Sequence, residues 1–143
     1  MQAGITTENG ERTDVWMGCY GLGISRLIGS VVEQLGDVSG KMVWPSEIAP
    51  FTVHLLDLTP EKVGEKLYSQ LLQTGMHVLY DDRSGTPGEK FADADLIGSP
   101  IRLIISKRSL GSGGIEMVDL ITGNSSIIPV EEVVTRISNK PIS

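Results

Sequence analysis

Two stretches of this chain set glycines and a cation where a strand gives way to a helix. The first runs Met17-Gly18-Cys19-Tyr20-Gly21-Leu22-Gly23-Ile24-Ser25-Arg26-Leu27. Gly21 and Gly23 lack a Cβ, so a flat ligand can lie directly against the backbone there. Arg26, in the first turn of the helix that follows, is a planar cation able to stack on a purine and grip phosphate. The pattern suits a tight structural turn with a solvated arginine equally well. It excludes a dinucleotide fingerprint, whose third glycine would fall at Arg26.

The second stretch runs Asp81-Asp82-Arg83-Ser84-Gly85-Thr86-Pro87-Gly88-Glu89-Lys90-Phe91 and continues to Gly98-Ser99-Pro100. A strand end, a polar loop and a helix start form the place where open α/β sheets hold ligands. Free N–H groups at the helix N-terminus favour anions such as phosphate. Arg83 and Lys90 add cationic donors, and Phe91 offers a stacking face. The alternative is a set of solvated loop charges with Phe91 in the core. The other reactive residue types read as structural. His54 lies within an apolar strand and His77 beside another, and neither has a partner at metal or catalytic spacing. Cys19 lacks the His and Asp neighbours of an activated nucleophile. No metal site is expected.

Those positions need elements to hold them. Val15–Tyr20 is predicted as a short strand running into Gly21. From Ile24 the apolar residues Ile24, Leu27, Ile28, Val31, Val32 and Leu35 recur at helical spacing until Gly36. Residues 37–50 carry Gly40, Pro45 and Pro50 without either period and read as a connector. A second pattern follows, with Phe51–Leu58 a strand apolar on both faces. Thr59-Pro60 is expected to start a helix whose inner stripe is Val63, Leu67 and Leu71, ended by Gly75. Met76–Tyr80 is the next strand, and Thr86-Pro87 starts a helix that runs to Gly98. Ile101–Ser106 and Ile115–Ile121 read as strands joined by a turn at Gly111–Gly114. Pro129 opens a last helix with Val130, Val133, Val134 and Ile137 inward, and Glu131 and Glu132 suit its dipole. Strands alternating with helices predict an α/β domain: three layers about a mixed, mostly parallel sheet.

The chain has 143 residues, 40% hydrophobic and 21% charged, with a mean hydropathy of +0.04. That composition belongs to a folded chain rather than a disordered one. No apolar run approaches the roughly 20 residues that cross a bilayer. Met1–Asp14 has no signal-peptide pattern, and one cysteine makes no internal disulfide. A cytoplasmic location and no membrane partner are therefore expected. The net charge of −6 excludes a generally basic nucleic-acid surface. Any RNA contact must be local, and no DNA partner is expected.

The first motif resembles motif 3 of the class II aminoacyl-tRNA synthetases, and Met17 to Arg26 is closely similar to its bacterial prolyl version. Trp44-Pro45 through Ile48-Ala49-Pro50-Phe51 looks like that family's junction into its anticodon-binding domain. Asp81 to Pro100 is very similar to the anticodon domain of the prolyl-tRNA synthetases. The resemblance covers about residues 15–138. It implies that residues 1–45 are a catalytic-domain fragment and 46–143 an anticodon-binding domain. Arg26 would then pack on the adenine of ATP and reach its terminal phosphate, with Gly21 and Gly23 making room. Arg83 and Lys90 would contact the anticodon, with Asp82, Glu89 and Phe91 second. Arg83 would grip a guanine at O6 and N7, and Lys90 would meet a phosphate.

The family joins proline to tRNA(Pro) through a prolyl-adenylate, with ATP as substrate accompanied by Mg2+, and its enzymes are homodimers. This sequence does not contain motifs 1 and 2, so the chain alone is expected to be inactive and monomeric. The alternative is a stand-alone tRNA-binding module or accessory subunit, against which the motif 3 arginine argues.

Overall fold

The computed structural model describes residues 4–16, 18–36 and 41–139. Asn9-Gly10 makes the turn its sequence predicts, with Gly10 at φ +81°. It joins β1 (Gly4–Thr6) to an antiparallel β2 (Arg12–Asp14). Three residues a side, Gly-Ile-Thr and Arg-Thr-Asp, are too short to carry a periodic signal, which is why the strands were not legible. The strand expected at Val15–Tyr20 is absent among the described residues, and Met17 lies outside them. A strand needs a neighbour for its N–H and C=O groups, and here there is none: Trp16 and Tyr20 stand fully in solvent. Helix α1 (Ile24–Leu35) follows, starting at Gly23 and ending where the Gly36 N–H meets the Val32 carbonyl.

Residues 37–40 of the expected connector lie outside the described residues. Met42 is the first buried residue of the described chain. Backbone N–H groups of Met42 and Trp44 donate to the carbonyls of Asp95 and Gly98. That close approach needs a glycine, since Gly98 is left-handed (φ +70°) and a Cβ there would strike the Met42 carbonyl.

The remaining elements are β3 (Val53–Asp57), α2 (Gly64–Gln73), β4 (Val78–Asp81), α3 (Pro87–Ile97), β5 (Ile101–Ile105), α4 (Lys107–Gly111), β6 (Ile115–Asp119), β7 (Ser125–Ile128) and α5 (Val130–Ser138). They form a five-stranded sheet in the order β4-β3-β5-β6-β7. β3 pairs parallel with β4 and β5, and the β5–β6 and β6–β7 pairs are antiparallel. The sheet is thus mixed, with half of its pairings parallel rather than most of them. One face packs Val53, Leu55 and Leu103 against Leu67 and Leu71 of α2 and Val133 and Ile137 of α5. On the other, Leu56 and Ile104 meet Ala94 of α3. β3 and β5, buried along their whole length, are the centre of these three layers.

Three boundaries differ from expectation. α2 starts at Gly64, not Pro60, because its first N–H donates to the carboxylate of Asp57 rather than to a Thr59 cap. Gly111–Gly114 is no simple turn: Ser106 and Ser109 cap each other and wind α4 first. β6 stops at Asp119, whose carboxylate accepts the N–H groups of Ile121 and Thr122 and turns the chain back into β7. The polar Ser125-Ser126 start hid that strand.

The start of α3 follows its sequence closely. The Thr86 hydroxyl accepts the Glu89 N–H at 3.3 Å, and the Glu89 carboxylate accepts the Thr86 N–H at 2.8 Å. Such a reciprocal cap contributes about 1 kcal/mol. Thr86→Ala is expected to lower unfolding free energy in urea by about that amount, and an unchanged midpoint would show that water replaces the cap without loss.

Candidate functional site

Parallel pairing brings the carboxyl ends of β3, β4 and β5 to one end of the sheet; β3 and β4 end on Asp57 and Asp81, and Ser106 follows the last residue of β5. At the end of β3, the carboxylate of Asp57 accepts four donors: the N–H and hydroxyl of Thr59, the Gly64 N–H at 2.7 Å and the Tyr80 hydroxyl at 3.2 Å. Burial opposes its charge, but the bonds from Thr59 and Gly64 outweigh it and hold the carboxyl below its ordinary value. Burial, and then the nearby Asp57, push the Tyr80 phenol up.

At the end of β4 stands Asp81. Its Oδ1 accepts the backbone N–H of Arg83 at 3.1 Å and Nε at 3.0 Å, and its Oδ2 accepts Nη2 at 2.7 Å. These guanidinium bonds, against the cost of burial, hold the Asp81 carboxyl low. Nη2 reaches further, to Asp93 on α3 at 2.6 Å. Arg83 is therefore locked in its charged form, by Asp81 first and then Asp93. The Arg83 side chain stays 60% exposed around this clamp.

Lys90 is placed differently from the expected phosphate contact. Its side chain is only 3% exposed, and Nζ donates to the carbonyls of Asp57 and Asp81. The Asp81 carboxylate lies 3.7 Å away. The physical reason is that two strand ends leave carbonyls without a partner, and α3 delivers an ammonium between them. Lys90 ties β3 to β4, and its charge is spent inside.

Of the other expected contacts, Glu89 is exposed and occupied by the cap, its carboxyl lowered by the Thr86 N–H and then the Thr86 hydroxyl. Asp82 pairs with Lys62 at 3.1 Å. Phe91 is half-buried against Leu56, Ala94 and Ile104. An open hollow of about 430 Å³ is lined by Arg83, Ser84, Gly85, Glu89, Lys90 and Asp93. It brings together Arg83, Glu89 and the stem of Lys90, and leaves Asp82 and Phe91 aside.

Asp93 was missed by the sequence reading. The available signal was its place four residues after Glu89 and three after Lys90, on one helix face. Lys107 and Arg108, exposed just beyond β5, were missed as well. They make no ion pair among the described residues.

The first motif lies apart. Gly23 starts α1, a Cβ at Gly21 would meet open space, and the Arg26 side chain is exposed without a hydrogen bond among the described residues.

Residues 48–140 match the family model of the anticodon binding domain. The chain belongs to that family. It is 43% identical over 98% of its length to a proline–tRNA ligase of Synechococcus sp. (strain JA-3-3Ab). It is also 43% identical over 94% of its length to a proline–tRNA ligase of Geobacillus kaustophilus (strain HTA426), and 40% identical over 97% to one of Bacillus mycoides (strain KBAB4). The chain spans about a quarter of the length of these relatives: 24%, 24% and 25% of each. In the anticodon binding domain of this chain, the hollow beside Arg83 is the part of the strand-end edge where a fixed cation faces solvent. Among the described residues, no helix is long and apolar enough to cross a membrane, and no three His, Cys, Asp or Glu side chains cluster as metal ligands.

Proposed function

We propose that this chain is the tRNA-recognising part of a proline–tRNA ligase, which joins proline to tRNA(Pro) at the expense of ATP. The observation that carries the reading is Arg83: a guanidinium fixed by Asp81 and Asp93, open to solvent, at the ligand-binding end of an anticodon binding domain. RNA loops present unpaired bases whose edges such a donor can read. A clamped arginine loses little freedom on binding, which favours specificity over general adhesion. Lys107 and Arg108, at the same end of the sheet, supply the phosphate contacts that Lys90 cannot.

The part preceding the domain supports a ligase over a stand-alone module. Along α1, Ile24, Leu27, Ile28, Val32 and Leu35 are 43–77% exposed. An apolar stripe of that size belongs against other protein, and here its partner is the catalytic domain of the longer enzyme. In that setting Gly21, Gly23 and Arg26 receive ATP, which arrives with Mg2+, and the enzyme works as a cytoplasmic homodimer. The boundary between the two parts then falls before Met42 rather than at the expected 45/46, with the support of the backbone bonds that tie Met42 and Trp44 to Asp95 and Gly98.

Binding of labelled tRNA(Pro), with a non-proline tRNA as control, tests the reading. Arg83→Ala is expected to leave the fold intact, because the side chain is exposed and Lys90 still lies against the Asp81 carboxylate. It should remove about 1.5–3 kcal/mol of discrimination against anticodons lacking the two guanines of the proline set, the worth of a hydrogen bond from a charged donor. Equal affinity of the unaltered chain for both tRNAs would refute the function. Full discrimination in Arg83→Ala would remove this residue from the contact.

A further inference from the structure

We propose that Arg83 and Asp93 act as a single recognition edge for an unpaired guanine, with Asp93 the residue that selects its amino group. The proposal rests on the tRNA-binding reading above and adds a specificity-determining residue to it. It follows from counting donors and acceptors. Arg83 has five N–H donors. Nε is taken by Asp81, and the two hydrogens of Nη2 are taken by Asp81 and Asp93. Only Nη1 remains, so the fork across both terminal nitrogens that would grip guanine O6 and N7 together is already spent. Asp93 in turn gives Oδ2 to Arg83, and its Oδ1 accepts no hydrogen bond among the described residues. A donor and an acceptor are therefore left on two side chains that are joined by the Nη2–Oδ2 bond and line the same hollow.

An unpaired base offers its Watson–Crick edge. For guanine that edge reads acceptor, donor, donor: O6, N1–H and the 2-amino group. Nη1 meets O6, and Oδ1 meets N1–H and the amino group. Adenine reverses the first two groups and sets the lone pair of N1 against the carboxylate. Uracil matches the first two but places O2, a second acceptor, where guanine has its amino group. Asp81 and the buried Lys90 hold the pair in place, so the edge is formed before RNA arrives.

Anticodon stem–loop RNAs of tRNA(Pro) separate the roles, each carrying one anticodon guanine replaced by inosine, which lacks the 2-amino group. A hydrogen bond to a charged acceptor is worth on the order of tenfold in affinity or more. The unaltered chain is expected to bind the inosine loop about tenfold more weakly at one of the two positions. Asp93→Ala and the isosteric Asp93→Asn should bind guanine and inosine loops within about twofold of each other. Arg83→Ala should bind both more weakly and keep the gap between them. If Asp93 only orients Arg83, its variants will keep the guanine–inosine gap, and the proposal fails. It fails too if the unaltered chain shows no gap at either position. Failure of the underlying reading would look different: the unaltered guanine loop would bind no better than a non-proline loop.

Discussion

Lys90→Met is expected to lower the stability of the chain by about 3–5 kcal/mol, the usual consequence of removing one partner from a buried charged pair. The ammonium serves three acceptors: the carbonyls of Asp57 and Asp81 and the Asp81 carboxylate. Methionine keeps the stem and its packing but leaves both carbonyls dry and unpaired. Arg83 still compensates the carboxylate, so the loss falls chiefly on the junction of β3 and β4. Against a typical total of about 5–15 kcal/mol, that is a large share. Urea unfolding with an unchanged slope would measure it. A stability within about 1 kcal/mol of the parent, with tRNA affinity lost and the log-affinity versus log-salt slope flattened by about 0.7 for one phosphate contact, would restore Lys90 as a phosphate ligand.

Acid should destabilise the chain well above the pH at which its carboxylates titrate. His54 is 2% exposed, paired across the sheet with Leu79 and Arg102, and its Nδ1 has no hydrogen-bond partner among the described residues. Burial lowers its pKa from 6.5 to about 4, helped by Arg102 and Arg83 and opposed by Asp81 and Asp93. Above pH 6.5 the imidazole is neutral both folded and unfolded, and this contribution is fully present. Between 6.5 and about 4 only the unfolded chain takes the proton, so stability falls as pH falls, by roughly 3 kcal/mol in all. Asp57 and Asp81 have the opposite charge but the same sign of effect. Their lowered values make their contribution full above the ordinary carboxylate range and lost only below it. His54→Leu should therefore match the parent or exceed it near pH 7.5, since the imidazole makes no hydrogen bond to another described residue. It should also flatten the decline between 6.5 and 4.5. Parallel declines in parent and variant would show that some other group carries the acid sensitivity.

Local rules act within a few residues, and where they alone decide an element the sequence was sufficient. The helix from Ile24 to Leu35, the capped start at Thr86-Pro87, the end of that helix at Gly98 and the buried strand around Leu55 were all legible. So was the family to which the chain belongs. Periodicity and capping could not show where long-range partners would intervene. Asp57 reached across seven residues to take the first N–H of α2 and moved that helix's start.

The types and spacing of residues 81–100 by themselves determined that this chain would hold a cation beside a helix start at a sheet end, because strand, loop and cap are set by neighbours in sequence. Only the tertiary structure decided which cation that is. Arg83 and Lys90 look alike in sequence, seven residues apart in one polar run. The parallel pairing of β3 with β4 creates unpaired carbonyls that draw Lys90 inside, while Asp81 and Asp93 hold Arg83 out. The difference comes from burial and from partners brought together by the fold, and neither is written in the order of the residues.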